Sequence, residues 1–250
     1  MRHGIVPMHR TPLVFAASVA LLTGSPTFAA APPQTTPSYA GPLQVAQPDL
    51  GDAFRAAWGS SIYTDGPFTF LAAFSQLHPL GDDRYALVSK AWSNNEMGHH
   101  TERALAVRYL VLKPAGYQAT DAPAAMVSDL TFGLMTWSVR DDLLDTPVLV
   151  AEFPSGGDRP GSPSNIGAYL IALEPDRPVV RSARIPLSCG LDLRFPDDDR
   201  IKGELSPTTG DGFVVTYTGS HPAMRAYAPN ADGLFVAAPG SADLKWCGLP

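Results

Sequence analysis

The residues best suited to chemistry lie in one polar stretch, Asn94-Asn95-Glu96-Met97-Gly98-His99-His100-Thr101-Glu102-Arg103, which runs straight into the apolar segment Ala104 to Leu112. Imidazole nitrogens and a carboxylate are ligands that zinc accepts. His99, His100 and Glu102 are therefore a candidate metal set, and a metal-dependent hydrolase is the activity that would follow. Their spacing does not make a site by itself. In an extended chain His100 and Glu102 share one face while His99 points to the other. A third ligand would have to come from a distance, with His78, His221 or a loop aspartate as sources. No His-Glu-x-x-His run is present. The bland reading is preferred on spacing: a solvated loop between two strands, with Asn94, Asn95 and Gly98 supplying turn conformations.

Other reaction classes find less support. There is no Gly-x-Ser-x-Gly elbow and no Ser-x-x-Lys, and neither cysteine stands beside a histidine. Asp82-Asp83, Asp141-Asp142 and Asp197-Asp198-Asp199 read as solvated turn residues, because neighbouring aspartates do not present two carboxyls across a cleft. Phe153 to Asn165, FPSGGDRPGSPSN, lacks the Lys-Ser/Thr ending of a phosphate loop and reads as a long hairpin tip. No cofactor is expected. If the segments 92–103 and 154–166 are long loops at corresponding ends of a sheet, they form a binding surface, with Trp92, His99, His100, Arg159 and Asn165 as contact residues. Trp58, Trp137 and Trp246 lie within or beside apolar runs and read as packing residues.

The elements that must carry these loops are short. From about residue 65 the chain is a series of apolar runs broken by Gly, Pro, Asp and Asn: Phe68–Phe74, Arg84–Lys90, Ala104–Lys113, Leu130–Val139, Val148–Phe153, Ala168–Leu173, Phe213–Thr218 and Leu234–Ala237. Phe213, Val215 and Tyr217 alternate with Val214 and two threonines, the pattern of a half-buried strand. Ala104 to Leu112 is apolar on both faces except at Arg108, and belongs inside a sheet or between layers. Ahead of the strands, Leu50, Phe54, Ala57 and Trp58 fall at helical spacing, with Gly59 at the exit.

The fold class expected is mainly β, an antiparallel sandwich or a small repeat-built β assembly with one short N-terminal helix. The repeat is suggested by Val107-Arg-Tyr-Leu-Val-Leu-Lys-Pro114, which aligns without gaps on Ala168-Tyr-Leu-Ile-Ala-Leu-Glu-Pro175, about 60 residues on. Leu87-Val88 and Leu149-Val150 repeat the spacing, and Val214-Val215 adds a third instance.

Residues 1–29 have the layout of a secretory signal peptide: Arg2 and Arg10, the uncharged apolar run Leu13 to Leu22, and small residues before a cut after Ala29. Residues 30–48 form an uncharged, Pro- and Ala-rich leader, and 49–250 a single domain. Loss of the two arginines takes the formal net charge from −6 to −8. So acidic a chain has no general attraction for nucleic acid. No membrane span is expected after processing. Cys189 and Cys247, alone in an exported chain, are expected to form one disulfide. The function expected is an exported, periplasmic or secreted, non-enzymatic binding or accessory protein whose partner is an envelope protein or a small ligand.

Overall fold

Asp49 caps the helix α1 (Leu50–Trp58), its carboxylate accepting from the Gly51 N–H at 2.9 Å. That bond meets one of the donors a helix leaves unpaired in its first turn. Gly59, at φ 79°, adopts the left-handed conformation that ends the helix, and its N–H donates to the Arg55 carbonyl at 2.8 Å. Ala53, Phe54 and Ala57 form its buried face. The computed structural model describes residues 49–97, 100–131, 134–156, 164–190 and 200–244. The expected signal peptide and leader, His99, Arg159, Trp246 and Cys247 lie outside the described residues. Among those described, no helix is long and apolar enough to cross a membrane.

After α1 the regular elements are strands, all paired antiparallel within two sheets. The first sheet contains β1 (Ile62–Asp65), β2 (Phe68–Gly81), β3 (Arg84–Met97), β4 (His100–Lys113) and β5 (Gly116–Ala119) in that order, with β6 (Ala125–Thr131) also on β4. The second runs from β7 (Thr136–Arg140) through β8 (Val148–Gly156) and β9 (Ser164–Leu173), with β10 (Pro178–Val180) also on β9. It continues through β11 (Ile185–Gly190), β12 (Arg200–Pro207), β13 (Phe213–Thr218), β14 (Ala223–Pro229) and β15 (Phe235–Ala237).

Three apolar layers explain the sequence pattern. Phe54 and its alanine neighbours on α1 cover Phe70, Leu87, Ala91, Ala104 and Ala106 on the outer face of the first sheet. The small residues there let the helix approach. The inner face of that sheet, including Val88, Leu105 and Val107, meets Leu149, Ala151, Phe153 and Ile171 of the second sheet. The far face of the second sheet encloses Val150, Leu170, Phe213, Val215 and Tyr217. Strands β3, β4, β8 and β9 are therefore apolar on both faces, as Ala104 to Leu112 required. Arg108, the one charge in that segment, lays its guanidinium over the Trp58 ring at 5.6 Å, keeping its stem in the apolar layer.

Repetition is visible in the strand plan. Strand β4 carries β5 along its last residues and β6 along its first half; β9 carries β10 and β11 in the same places. Leu112 pairs with Tyr117 and Leu173 with Pro178, positions related by the same offset as the two aligned segments. The hairpins themselves differ by a slide of two residues: Leu87 pairs with Arg108, but Leu149 with Ile171. A slide of two keeps every side chain on its own face. In the third unit β12 to β15 repeat the plan of β2 to β5, and the segment after β15 returns along β14, Ala238 N–H donating to Ala226 O at 2.9 Å. Finally, Phe235 N–H donates to Arg181 O, and Ser182 makes a parallel bridge to Phe235, so β15 is tied back to the segment between β10 and β11.

Two expectations need correction. Leu130–Val139 is not one strand: β6 ends at Thr131, β7 begins at Thr136, and the two belong to different sheets. Apolar content was continuous there because the crossing segment also buries Met135 (3% exposed). Nor are the described parts of 92–103 and 154–166 loops: Met97 pairs with His100, and Pro154 to Gly156 pair with Ile166 to Ser164. Ladder bonds are made by the backbone, and polar side chains do not forbid them.

Candidate functional site

Along β3, Val88, Lys90 and Trp92 alternate onto the face that looks toward the second sheet. Val88 is in the inter-sheet core; Lys90 and Trp92 lie beyond it, half-buried. Here the first sheet loses regularity on both sides of β3. Toward β2, the pairing passes from Phe70↔Ala91 to Ser75↔Ser89, setting Leu71 to Phe74 opposite Lys90 alone. This bulge brings Phe74 edge-on to the Trp92 ring, centroids 4.2 Å apart. Toward β4, the pairing passes from Trp92↔Arg103 to Glu96↔Thr101, and the Arg103 guanidinium sits over Trp92 at 5.9 Å. Bulges re-aim side chains in this way beside binding sites.

The third wall is Leu134 and Met135, a short strap that leads into β7 of the second sheet. Met135 points into the inter-sheet core, and its carbonyl accepts from Lys90 Nζ at 3.1 Å. Leu134 is 78% exposed. Between strap and sheet is a largely apolar cavity of about 240 Å³, bounded by Phe74, Lys90, Trp92, Arg103, Leu134 and Thr136.

Its electrostatics are unbalanced. Burial holds the Arg103 guanidinium below its ordinary range. Lys90 is held down first by burial and then by the like charge of Arg103. Arg103 Nε is buried with no hydrogen-bond partner. Among the described residues no carboxylate pairs with either cation. Two cations facing an apolar cavity disfavour each other's charged form and favour an anion between them.

A larger cavity, about 380 Å³, lies beyond the other end of β7, bordered by Asp142, Asp145, Glu174, Arg181 and Asp211. Its charge is acidic and half compensated: Arg140 binds both Asp142 oxygens at 2.6 and 2.8 Å and Arg181 pairs with Glu174, while Asp145 and Asp211 add two further carboxylates. The strap cavity, with apolar walls and unpaired charge, has the better binding chemistry.

Of the described residues singled out in the sequence, the structure brings only Trp92 to this cavity. Asn165 pairs with Ser155 across the β8–β9 ribbon, its carbonyl accepting from Ser155 Oγ at 3.4 Å. His100 begins β4, opposite Met97. Glu102 alternates to the other face of β4 from Arg103 and accepts from Ser128 Oγ at 3.5 Å. His78 lies on β2 opposite Ala86, and His221 lies in the turn between β13 and β14. Among the described residues no three His, Cys, Asp or Glu side chains are placed to hold a metal ion. Trp58 stacks on Tyr63 and Phe70 at 4.6 and 5.7 Å, and Trp137 packs on the inter-sheet core.

Lys90, Arg103, Phe74 and Leu134 were not read as site residues from sequence. Two carried a usable signal. Period-two alternation through Arg84–Lys90 puts Lys90 on the face of Val88, and Arg103 on the face of Leu105 and Val107. Charges on an apolar face call for a reason.

No protein-family model matches this chain, and comparison with curated proteins and with solved structures finds no match.

Proposed function

We propose that this chain is an exported, non-enzymatic binding protein that takes a small organic ligand into the cavity between the strap and the first sheet. One observation carries the reading: two bulges and a strand crossing meet at Lys90 and Trp92, and together they leave an apolar cavity of about 240 Å³. A sheet does not lose its ladder on both sides of one strand without cost, since each lost bond leaves backbone groups to be paired elsewhere. The cavity favours a small ligand over an envelope protein as the partner.

Export rests on the N-terminal layout, with Arg2 and Arg10, the Leu13–Leu22 run and Ala29, and places the protein in the periplasm or outside the cell. The mature chain is expected to begin at Ala30, which N-terminal sequencing of secreted material reads directly. A disulfide between Cys189 and Cys247 belongs to the same reading. Cys189 is 2% exposed on β11, and among the described residues no cysteine is free.

The test is a thermal-shift screen of small organic molecules against the mature protein. A ligand at a hundredfold excess over its Kd stabilises the folded state by about 2.7 kcal/mol. Hits should vanish in Trp92→Ala and persist in Asn165→Ala. Hits that survive Trp92→Ala would move the binding site elsewhere.

A further inference from the structure

Resting on that reading, we infer that the ligand is an organic carboxylate, an anionic head on a single ring or short apolar chain. The head is set by the two cations. Lys90 gives one of its donors to the Met135 carbonyl at 3.1 Å, and an ammonium has others to give. Arg103 Nε is buried without a partner, although a guanidinium edge offers two parallel N–H groups that match a carboxylate. The nearest acidic residue in the ladder, Asp129 opposite Arg103, already holds Arg184 at 2.7 Å. Among the described residues, then, no carboxylate answers the two cations, and an anionic ligand would.

The body is set by the walls. Phe74 and Trp92 meet edge to face at 4.2 Å, and Leu134 closes the opposite side. A cavity of roughly 150 Å³ takes a benzene ring. The 240 Å³ here leaves room for a ring and a carboxylate-bearing carbon, and not for a large ligand. A small inorganic anion would satisfy the cations but leave the apolar walls uncovered. A neutral aromatic would do the reverse and leave both charges without a counter-ion.

Titration calorimetry on the mature protein tests this with phenylacetate, its neutral isostere phenylacetamide, and sulfate. Phenylacetate is expected to bind at least tenfold more tightly than either. Arg103→Gln should remove that preference, with circular dichroism and the thermal midpoint showing that the variant is folded. Equal affinity for the acid and the amide, both lost in Trp92→Ala, overturns the carboxylate but leaves the cavity as the binding site. Sulfate binding as tightly as phenylacetate overturns the apolar body. No binding of any probe overturns both the ligand class and the site.

Discussion

Arg103 and Asp129 face each other in the β4–β6 ladder, yet their charges are not paired. Asp129 instead accepts from Arg184 Nε at 2.7 Å and from the Tyr169 hydroxyl at 3.4 Å, both on the second sheet's side of the sandwich. One carboxylate thus links the two sheets and, by the same bonds, leaves Arg103 uncompensated. Tyr169 registers the arrangement: burial, then the Asp129 charge, push its hydroxyl up to about 12.

Gly167 makes this link possible. A Cβ there would lie 2.2 Å from Arg184 Nε and 2.5 Å from its Cζ, so any side chain must displace the guanidinium. Gly167→Ala is expected to destabilise the protein by about 1–3 kcal/mol, the range for a broken, partly buried polar network. In an Asp129→Asn background the same substitution should cost measurably less. Chemical denaturation of the four proteins of that cycle reads the coupling; additive costs would show that Gly167 acts without the ion pair.

Phe54 is fully buried between α1 and the first sheet. Phe54→Ala should cost about 3–5 kcal/mol. Because the helix covers the outer face and the cavity opens on the inner one, ligand affinity should change less than twofold. A large loss of affinity at unchanged fold would show that the two faces of the sheet are coupled.

His78, on β2, is held below its ordinary value of 6.5 by burial, with the Asp141 charge acting in the opposite direction. The unfolded chain therefore takes up this proton more readily than the folded one. The stability contribution is complete above pH 6.5 and declines as the pH falls toward the lowered value. Urea midpoints measured from pH 7 down to about 5 should fall more steeply in the natural protein than in His78→Gln. Parallel curves would assign the acid sensitivity to other groups.

The proposed Cys189–Cys247 bridge predicts that the intact mature protein is about 2 Da lighter than its reduced form. Reduction should lower stability by roughly 4 kcal/mol, the value for so wide a loop. An unreacted thiol at Cys189 in the unfolded, unreduced protein would remove the bridge.

The parts of this architecture legible in the sequence are those where periodicity and burial coincide. Phe54 and Ala57 recur at helical spacing because a helix buries one stripe. Ala104 to Leu110 lack alternation because α1 covers one face of β4 and β8 the other. The repeat of Val107 in Ala168 marked a true correspondence in strand plan. What stayed hidden depends on pairing rather than pattern. The break at Leu134 between two sheets reads as continuous apolar sequence, and the ribbons beyond Trp92 and Phe153 read as loops because their side chains are polar. Arg103 looked like the end of a polar stretch. Only its place in the ladder, behind Trp92 and across from an occupied carboxylate, gives it a role.

The tie from Phe235 to the backbone at Arg181 and Ser182 bears on how copies of this chain meet one another. A β-sheet normally has two rims at which a foreign strand can add. In the second sheet one rim is engaged internally, leaving β7 at the other. Growth by adding strands to this sheet is therefore confined to β7 and ends once two molecules meet there, while the first sheet keeps its own rims at β1 and at β5 and β6.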